Sequence, residues 1–108
     1  MRRGDIVRAA GKGDFSGKPR PSLVVQSDKF NEYHSAIALC PLTSTITGDE
    51  MFRVAISPTA LNGLKLPSEI QVDKVQSVKR RHIVDVIGRA GSTEMEKVDA
   101  ILKMWFEL

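Results

Sequence analysis

Cysteine is almost missing from this chain of 108 residues: Cys40 is the only one. A single cysteine forbids an intramolecular disulfide and excludes a multi-cysteine zinc site. No apolar run approaches the ~20 residues that a membrane helix needs, so no membrane partner is expected. Arg2 and Arg3 have no apolar stretch behind them, which excludes a signal peptide, and cytoplasm is the expected compartment. No glycine-rich phosphate loop is present, because Gly11-Lys12-Gly13 lacks the spacing. His34 and His82 are far apart and form no pair with metal-ligand spacing. No metal or other cofactor is therefore expected. There is no repeat and no low-complexity tract.

What remains is ordinary globular material. Hydrophobic residues make up 42% and charged residues 27%, which fits one soluble domain spanning residues 1–108 rather than a disordered chain. The net charge is +3, which permits an anionic partner without demanding one. The densest basic run is Lys79-Arg80-Arg81-His82, with Lys74 upstream. Such a tetrad is more often a solvated face than a binding patch.

Short strands dominate the pattern. Ile6–Ala10 is the first candidate, and the glycine- and proline-rich stretch 11–19 predicts a mobile loop. Pro19 and Pro21 flank Arg20, so Arg20 enters the next strand extended and stiff. Leu23–Gln26 reads as a buried strand, and Ser35–Cys40 as another that Pro41 stops. Phe52–Ile56, Ile70–Asp73, Val75–Val78 and His82–Ile87 alternate or run apolar as strands do, the last closed by Gly88. Asn62-Gly63 and Pro67-Ser68 signal turns. The period then changes. Met95, Val98, Ile101, Leu102 and Trp105 share one helical face, and Thr93 with Glu96 has capping-box spacing. Many short strands and one terminal helix predict a small, mostly β barrel or curled sheet with a helix packed on it.

Few side chains suggest chemistry. Cys40, in an apolar run, reads as a small buried hydrophobe rather than a nucleophile. A lone His82 reads as a surface or packed residue more readily than as an acid–base group. Trp105 fits core or subunit contact. One arrangement stands apart. Arg20 lies between two prolines at a loop-to-strand junction, and Thr43-Ser44 follows the strand that ends near Cys40-Pro41. A planar, permanently charged guanidinium beside a neutral hydroxyl donor suits phosphate recognition.

Four blocks carry a family likeness: Arg3-Gly4-Asp5-Ile6-Val7; Gly17-Lys18-Pro19-Arg20-Pro21 with Leu23-Val24-Val25-Gln26; Pro41-Leu42-Thr43-Ser44; and Asp73-Lys74-Val75-Gln76-Ser77-Val78. In order, spacing and total length the chain resembles the MazF/PemK (Kid) toxins of bacterial type II toxin–antitoxin pairs. The resemblance implies an SH3-like β-barrel of the CcdB/Kid/MazF type with a packed C-terminal helix, assembled as a homodimer. It implies a sequence-specific endoribonuclease acting on single-stranded RNA such as mRNA without a metal, and silenced by a cognate acidic antitoxin.

By position the resemblance makes Arg20, Thr43 and Asp73 the catalytic candidates. It places RNA contacts at Lys12, Lys18, Ser44, Gln71, Lys74, Gln76 and Lys79. Two departures stand out. The Kid branch carries Arg-x-Asp where this chain has Gln71-Val72-Asp73, so the acid of that pair is replaced by an amide. Lys74 and Gln76 stand in inverted order relative to many relatives. Whether Asp73 or His82 shares in proton transfer stays open at this level. Two other readings exist: a gyrase poison like CcdB, and a non-catalytic nucleic-acid-binding SH3-like module. The former depends on a Trp-Gly-Ile type C-terminus, whereas this chain ends Trp105-Phe106-Glu107-Leu108.

Overall fold

The computed structural model describes residues 1–10 and 18–108. These form β1 (Asp5–Ala9), β2 (Arg20–Val24), β3 (Ala36–Thr43), β4 (Arg53–Ile56), β5 (Ser68–Gln71), β6 (Gln76–Lys79), β7 (Ile83–Arg89) and α1 (Ser92–Phe106). The strands make one antiparallel sheet in the order β4-β5-β3-β2-β1-β7, with β6 also paired to β3. Among the described residues the sheet is not closed, so the expected barrel is an open, curled sheet. The curl has local causes. The register of β1 against β7 slips between Ile6 and Val7 and again between Arg8 and Ala9, and such irregularities add twist.

The central strands are buried on both faces, which explains their continuous apolar runs. Neighbouring residues point to opposite sides of the sheet. Ile6, Leu23 and Cys40 therefore join the core under α1, while Val7, Val24 and Leu39 join a second core with Ile37 and Val78. Cys40 is fully enclosed, and burial pushes its thiol up to about 12. It is the small hydrophobe its context predicts.

Pro41 does not end β3, which runs on to Thr43. The reason lies in the pairing. β3 is paired to β6 as far as Leu39↔Gln76 and to β5 from Leu42↔Ile70. Pro41 falls between these two partners on that edge, where a missing N–H breaks no ladder. The strand run expected over Ile70–Asp73 is likewise modified. β5 stops at Gln71, and a 3-10 turn over Val72–Lys74 packs the buried Val72 beneath the helix. β7, for its part, continues through Gly88 to Arg89.

Helix α1 buries Val98 and Ile101, with Met95 and Leu102 packed beside them, as the spacing predicts. It starts at Ser92, next to Thr93, but without the capping box that the spacing predicts. Gly91 is the N-cap, no side chain caps the helix, and Thr93 and Glu96 lie inside it. Trp105 is half exposed, its ring edge-to-face with Phe52 at 5.6 Å. The Arg3-Gly4-Asp5 block serves the fold. Asp5 accepts from Arg2 N and pairs with Arg89, while Arg3 donates to Val25 O and to Asp99 of α1. These bonds tie the N-terminus to β7, β2 and the helix.

Candidate active site

A cleft of about 560 Å³ opens where β2 begins and β3 ends. The paired prolines start β2 at Arg20, and β3 carries Thr43 as its last residue. Arg20, Thr43 and Ser44 all line this cleft, so the fold brings together three residues singled out in the sequence. Thr43 Oγ1 accepts from Thr45 N at 3.1 Å. A hydroxyl keeps its own proton when it accepts, so Thr43 can still donate toward a ligand.

The opposite wall is the segment after the Asn62-Gly63 turn, which contributes Gly63 through Leu66. This turn is fixed by a buried amide. Asn62 Oδ1 accepts from Thr59 N and Leu64 N, both at 3.0 Å, and its Nδ2 donates to Ser57 O at 2.8 Å. Close approach to β7 completes it. A Cβ on Gly63, which has φ +68°, would lie 2.1 Å from Ile87 O, and one on Gly88 would lie 2.3 Å from the Asn62 backbone. Only glycine fits at either position.

Three charged groups in the cleft carry no sequence signature of a site: Arg8, Lys65 and Asp85. Arg8 and Asp85 face each other across β1 and β7. Arg8 Nε and Nη2 reach the two Asp85 carboxylate oxygens at 2.8 and 2.6 Å. The hydrogen bond to Arg8 holds the Asp85 carboxyl below its usual range. In the sequence Arg8 and Asp85 each interrupt an otherwise apolar strand, which marks an outward charge but not a site.

Glu69 also lies outside any motif. It sits opposite Thr43 in the β3–β5 register and is only 2% exposed. Arg53 Nη1 donates to it at 2.9 Å. Thr47 N, Thr47 Oγ1 and Gly48 N donate as well, at 3.1, 2.9 and 2.9 Å. Its pKa falls to about 2, first through the bond from Arg53. Glu69 therefore pins the loop that leaves Thr43.

The other sequence candidates lie elsewhere. Gln71 is 8% exposed, and its amide is engaged inward: Oε1 accepts from Arg53 at 3.4 Å, and Nε2 donates to Pro41 O at 3.5 Å. The expected RNA contact at Gln71 therefore meets an inward-facing amide. Asp73 and Lys74 sit in the 3-10 turn beneath α1, outside the cleft lining. Gln76 and Lys79 are exposed on β6, paired with Leu39 and Ala36 at the far half of β3. Four residues of strand, about 13 Å, separate Leu39 from Thr43. Lys18 is exposed just before β2, and Lys12 lies outside the described residues. His82 is exposed at the end of a second 3-10 turn, Arg80–His82.

A family model for PemK-like, MazF-like toxins of type II toxin–antitoxin systems matches residues 2–106. The chain is 39% identical over 102 residues to a probable endoribonuclease MazF of Mycolicibacterium smegmatis, covering 94% of this chain and 93% of that one. It superposes on the solved Mycobacterium tuberculosis toxin MazF-mt6 with a TM-score of 0.80 at 22% identity, covering 96% and 97% of the two chains. A mycobacterial endoribonuclease solved in complex with its cognate antitoxin gives 0.81 at 19% identity, with 100% and 96% covered. At these identities the solved structures establish the fold.

Proposed function

We propose that this chain, which belongs to the PemK-like, MazF-like toxin family of type II toxin–antitoxin systems, is an endoribonuclease that cuts single-stranded RNA at the Arg20–Thr43 cleft. The observation that carries the reading is the meeting of Arg20 and Thr43 in one open cleft although separate strands deliver them. Cleavage begins with attack of a ribose 2′-oxygen on the adjacent phosphorus as the hydroxyl proton passes to solvent water. Negative charge then grows on the phosphorane oxygens, the bond to the 5′-oxygen breaks, and that oxygen leaves with a proton taken from water. Arg20 supplies a permanent cation to the developing charge. Its proton is held too tightly for it to serve as an acid or base. Thr43 donates its hydroxyl proton to a phosphate oxygen and holds the group in line. Lys65 adds positive charge at the rim, and Asp85, kept ionised by Arg8, answers the Arg8 charge and fixes its fork.

The products are a 2′,3′-cyclic phosphate and a 5′-hydroxyl, and the reaction runs without a metal ion. The test is incubation with a long RNA in EDTA, with the cut ends mapped. A substrate bearing 2′-deoxyribose at the scissile position should resist cleavage. Cutting it as fast as RNA, or loss of activity in EDTA, would sink the mechanism. A purified protein that binds RNA but never cuts it would instead favour the non-catalytic module.

The assembly is a homodimer in the cytoplasm. Support comes from the apolar surface left by Met104, Trp105, Phe106 and Leu108 at the end of α1, all exposed in the single chain. Sedimentation equilibrium should report two subunits. The partner is an acidic antitoxin segment that orders over the cleft. Its binding should weaken as salt rises and compete with RNA.

A further inference from the structure

The basic run from Lys79 to His82 takes no part in the cleft lining, yet the fold gives it a specific neighbourhood. Ala9 of β1 pairs with Arg20 on one side and with Ile83 on the other. The backbone of Arg20 is therefore two strand spacings, about 10 Å, from the residue that follows His82. On the other side, Arg80 Nε donates to His34 O at 3.0 Å and its Nη2 donates to Asn31 O. Arg80 thus clamps the turn between β2 and β3 against the basic run.

That turn presents aromatic rings. Phe30 is 46% and Tyr33 74% exposed, and the two rings stand edge-to-face at 6.4 Å. Hydrogen bonds hold the turn that carries the rings. Asn31 is buried between them in sequence, its Nδ2 donating to Gln26 O and Asp28 Oδ1 at 3.1 and 3.0 Å. Phe30 O accepts from both Tyr33 N and His34 N. Asp28 is engaged by Arg3 N and Asn31, which leaves Glu32 as the turn's other acidic side chain, in the open. Lys79, Arg81 and His82, the chain neighbours of the Arg80 that bonds this turn, are exposed.

We propose that Phe30, Tyr33 and Arg81 form a second subsite, which holds single-stranded RNA flanking the nucleotides in the cleft. It rests on the ribonuclease reading only for the identity of the polymer. Rings open to solvent near exposed cations that make no ion pair among the described residues are the combination that a single strand recognises, since bases stack on the rings and phosphates meet the cations. Arg80 is a positioning residue, because its guanidinium is occupied by the two carbonyls. The strand would leave the Arg20 end of the sheet, pass the end of β1 and the Arg80–His82 turn, and reach the aromatic pair.

The experiment compares 2′-O-methyl RNAs of about 5 and about 16 nucleotides, which span the range of single-strand site sizes. Affinities are measured by fluorescence anisotropy for the wild type, Tyr33→Ala, Tyr33→Phe and Arg81→Ala. Tyr33→Ala should weaken the longer RNA at least about fivefold, the low end for losing one stacked base, and leave the shorter unchanged. Tyr33→Phe should retain the affinity. Arg81→Ala should weaken the longer RNA and flatten its salt dependence. Equal losses at both lengths, or none at either, would overturn the subsite. So would losses accompanied by a fall in sedimenting mass, which would make the patch a contact between copies. Cleavage by the wild type is scored separately. A protein that never cuts RNA but shows the length-dependent loss would sink the catalytic reading and keep this one.

Discussion

The two ends of β3 treat positive charge differently. At the Thr43 end, two arginines near the strand are answered by carboxylates: Arg53 by the buried Glu69, and Arg8 by Asp85. At the Ala36 end, Arg80 donates to neutral backbone carbonyls, and its charge is not cancelled there. Paired charges fix shape, because each carboxylate selects one position for its arginine. A guanidinium bonded to carbonyls also fixes shape, yet leaves a field that a polyanion can feel. One end therefore holds a geometry around Arg20, and the other keeps a guanidinium whose field is left open.

The sharpest way to break this contrast is at Arg20. Arg20→Ala should lower cleavage about 100–1,000-fold, the usual cost of losing a preorganised transition-state donor, with the circular dichroism spectrum unchanged. Near-normal single-turnover rates would show that the geometry held at the Thr43 end is not catalytic.

Glu69 tests the shape-fixing half of the comparison. Its carboxyl is lowered from 4.5 to about 2 in the folded protein. A depressed pKa means that the carboxylate favours folding at high pH. This contribution is complete above about 4.5 and is lost as pH falls through about 2. Thermal melts of wild type and Glu69→Gln across pH 2–7 should show the wild type more stable at pH 7, with the gap closing in acid. A gap that stays constant across this range would mean that the ionised form is not what pins the loop.

Thr43→Ala should have a smaller effect on rate than Arg20→Ala. One neutral hydrogen bond contributes ~0.5–1.5 kcal/mol, or about 2- to 13-fold. The smallest change is expected at Arg8→Met. Exposed ion pairs contribute little, so the melting temperature should not move measurably, while RNA affinity falls slightly at low salt. A large loss of stability would move Arg8–Asp85 from the rim of the cleft into the framework of the fold.

Legibility in the sequence follows the range of the interaction. The start of β2 at Arg20 could be read because proline restricts its own neighbours. The inner face of α1 could be read because helical periodicity is local. Pro41 misled, because its tolerance depends on a gap between β6 and β5 that only the folded sheet contains. The capping-box spacing at Thr93 placed the helix start to within one residue, although the cap itself is Gly91 with no side-chain bond. Arg20 with Thr43 was singled out by residue chemistry and given its catalytic reading by the family likeness. Arg8–Asp85 and Arg53–Glu69 were not, because cross-strand pairs joined only by register leave no fixed spacing. The inward turn of Gln71 follows from Arg53, a contact no local rule anticipates.

Cys40 has a consequence for experiment. A thiol sealed in the core, with its ionisation pushed up to about 12, has almost no thiolate to offer an alkylating reagent while the sheet is intact. Since it is the chain's sole sulfhydryl, every labelled molecule records one opening of the interior. Mass spectrometry of alkylated protein over time would thus act as a stopwatch for native-state opening. Bound RNA or antitoxin that tightens the sheet would slow that stopwatch without touching the sulfur itself.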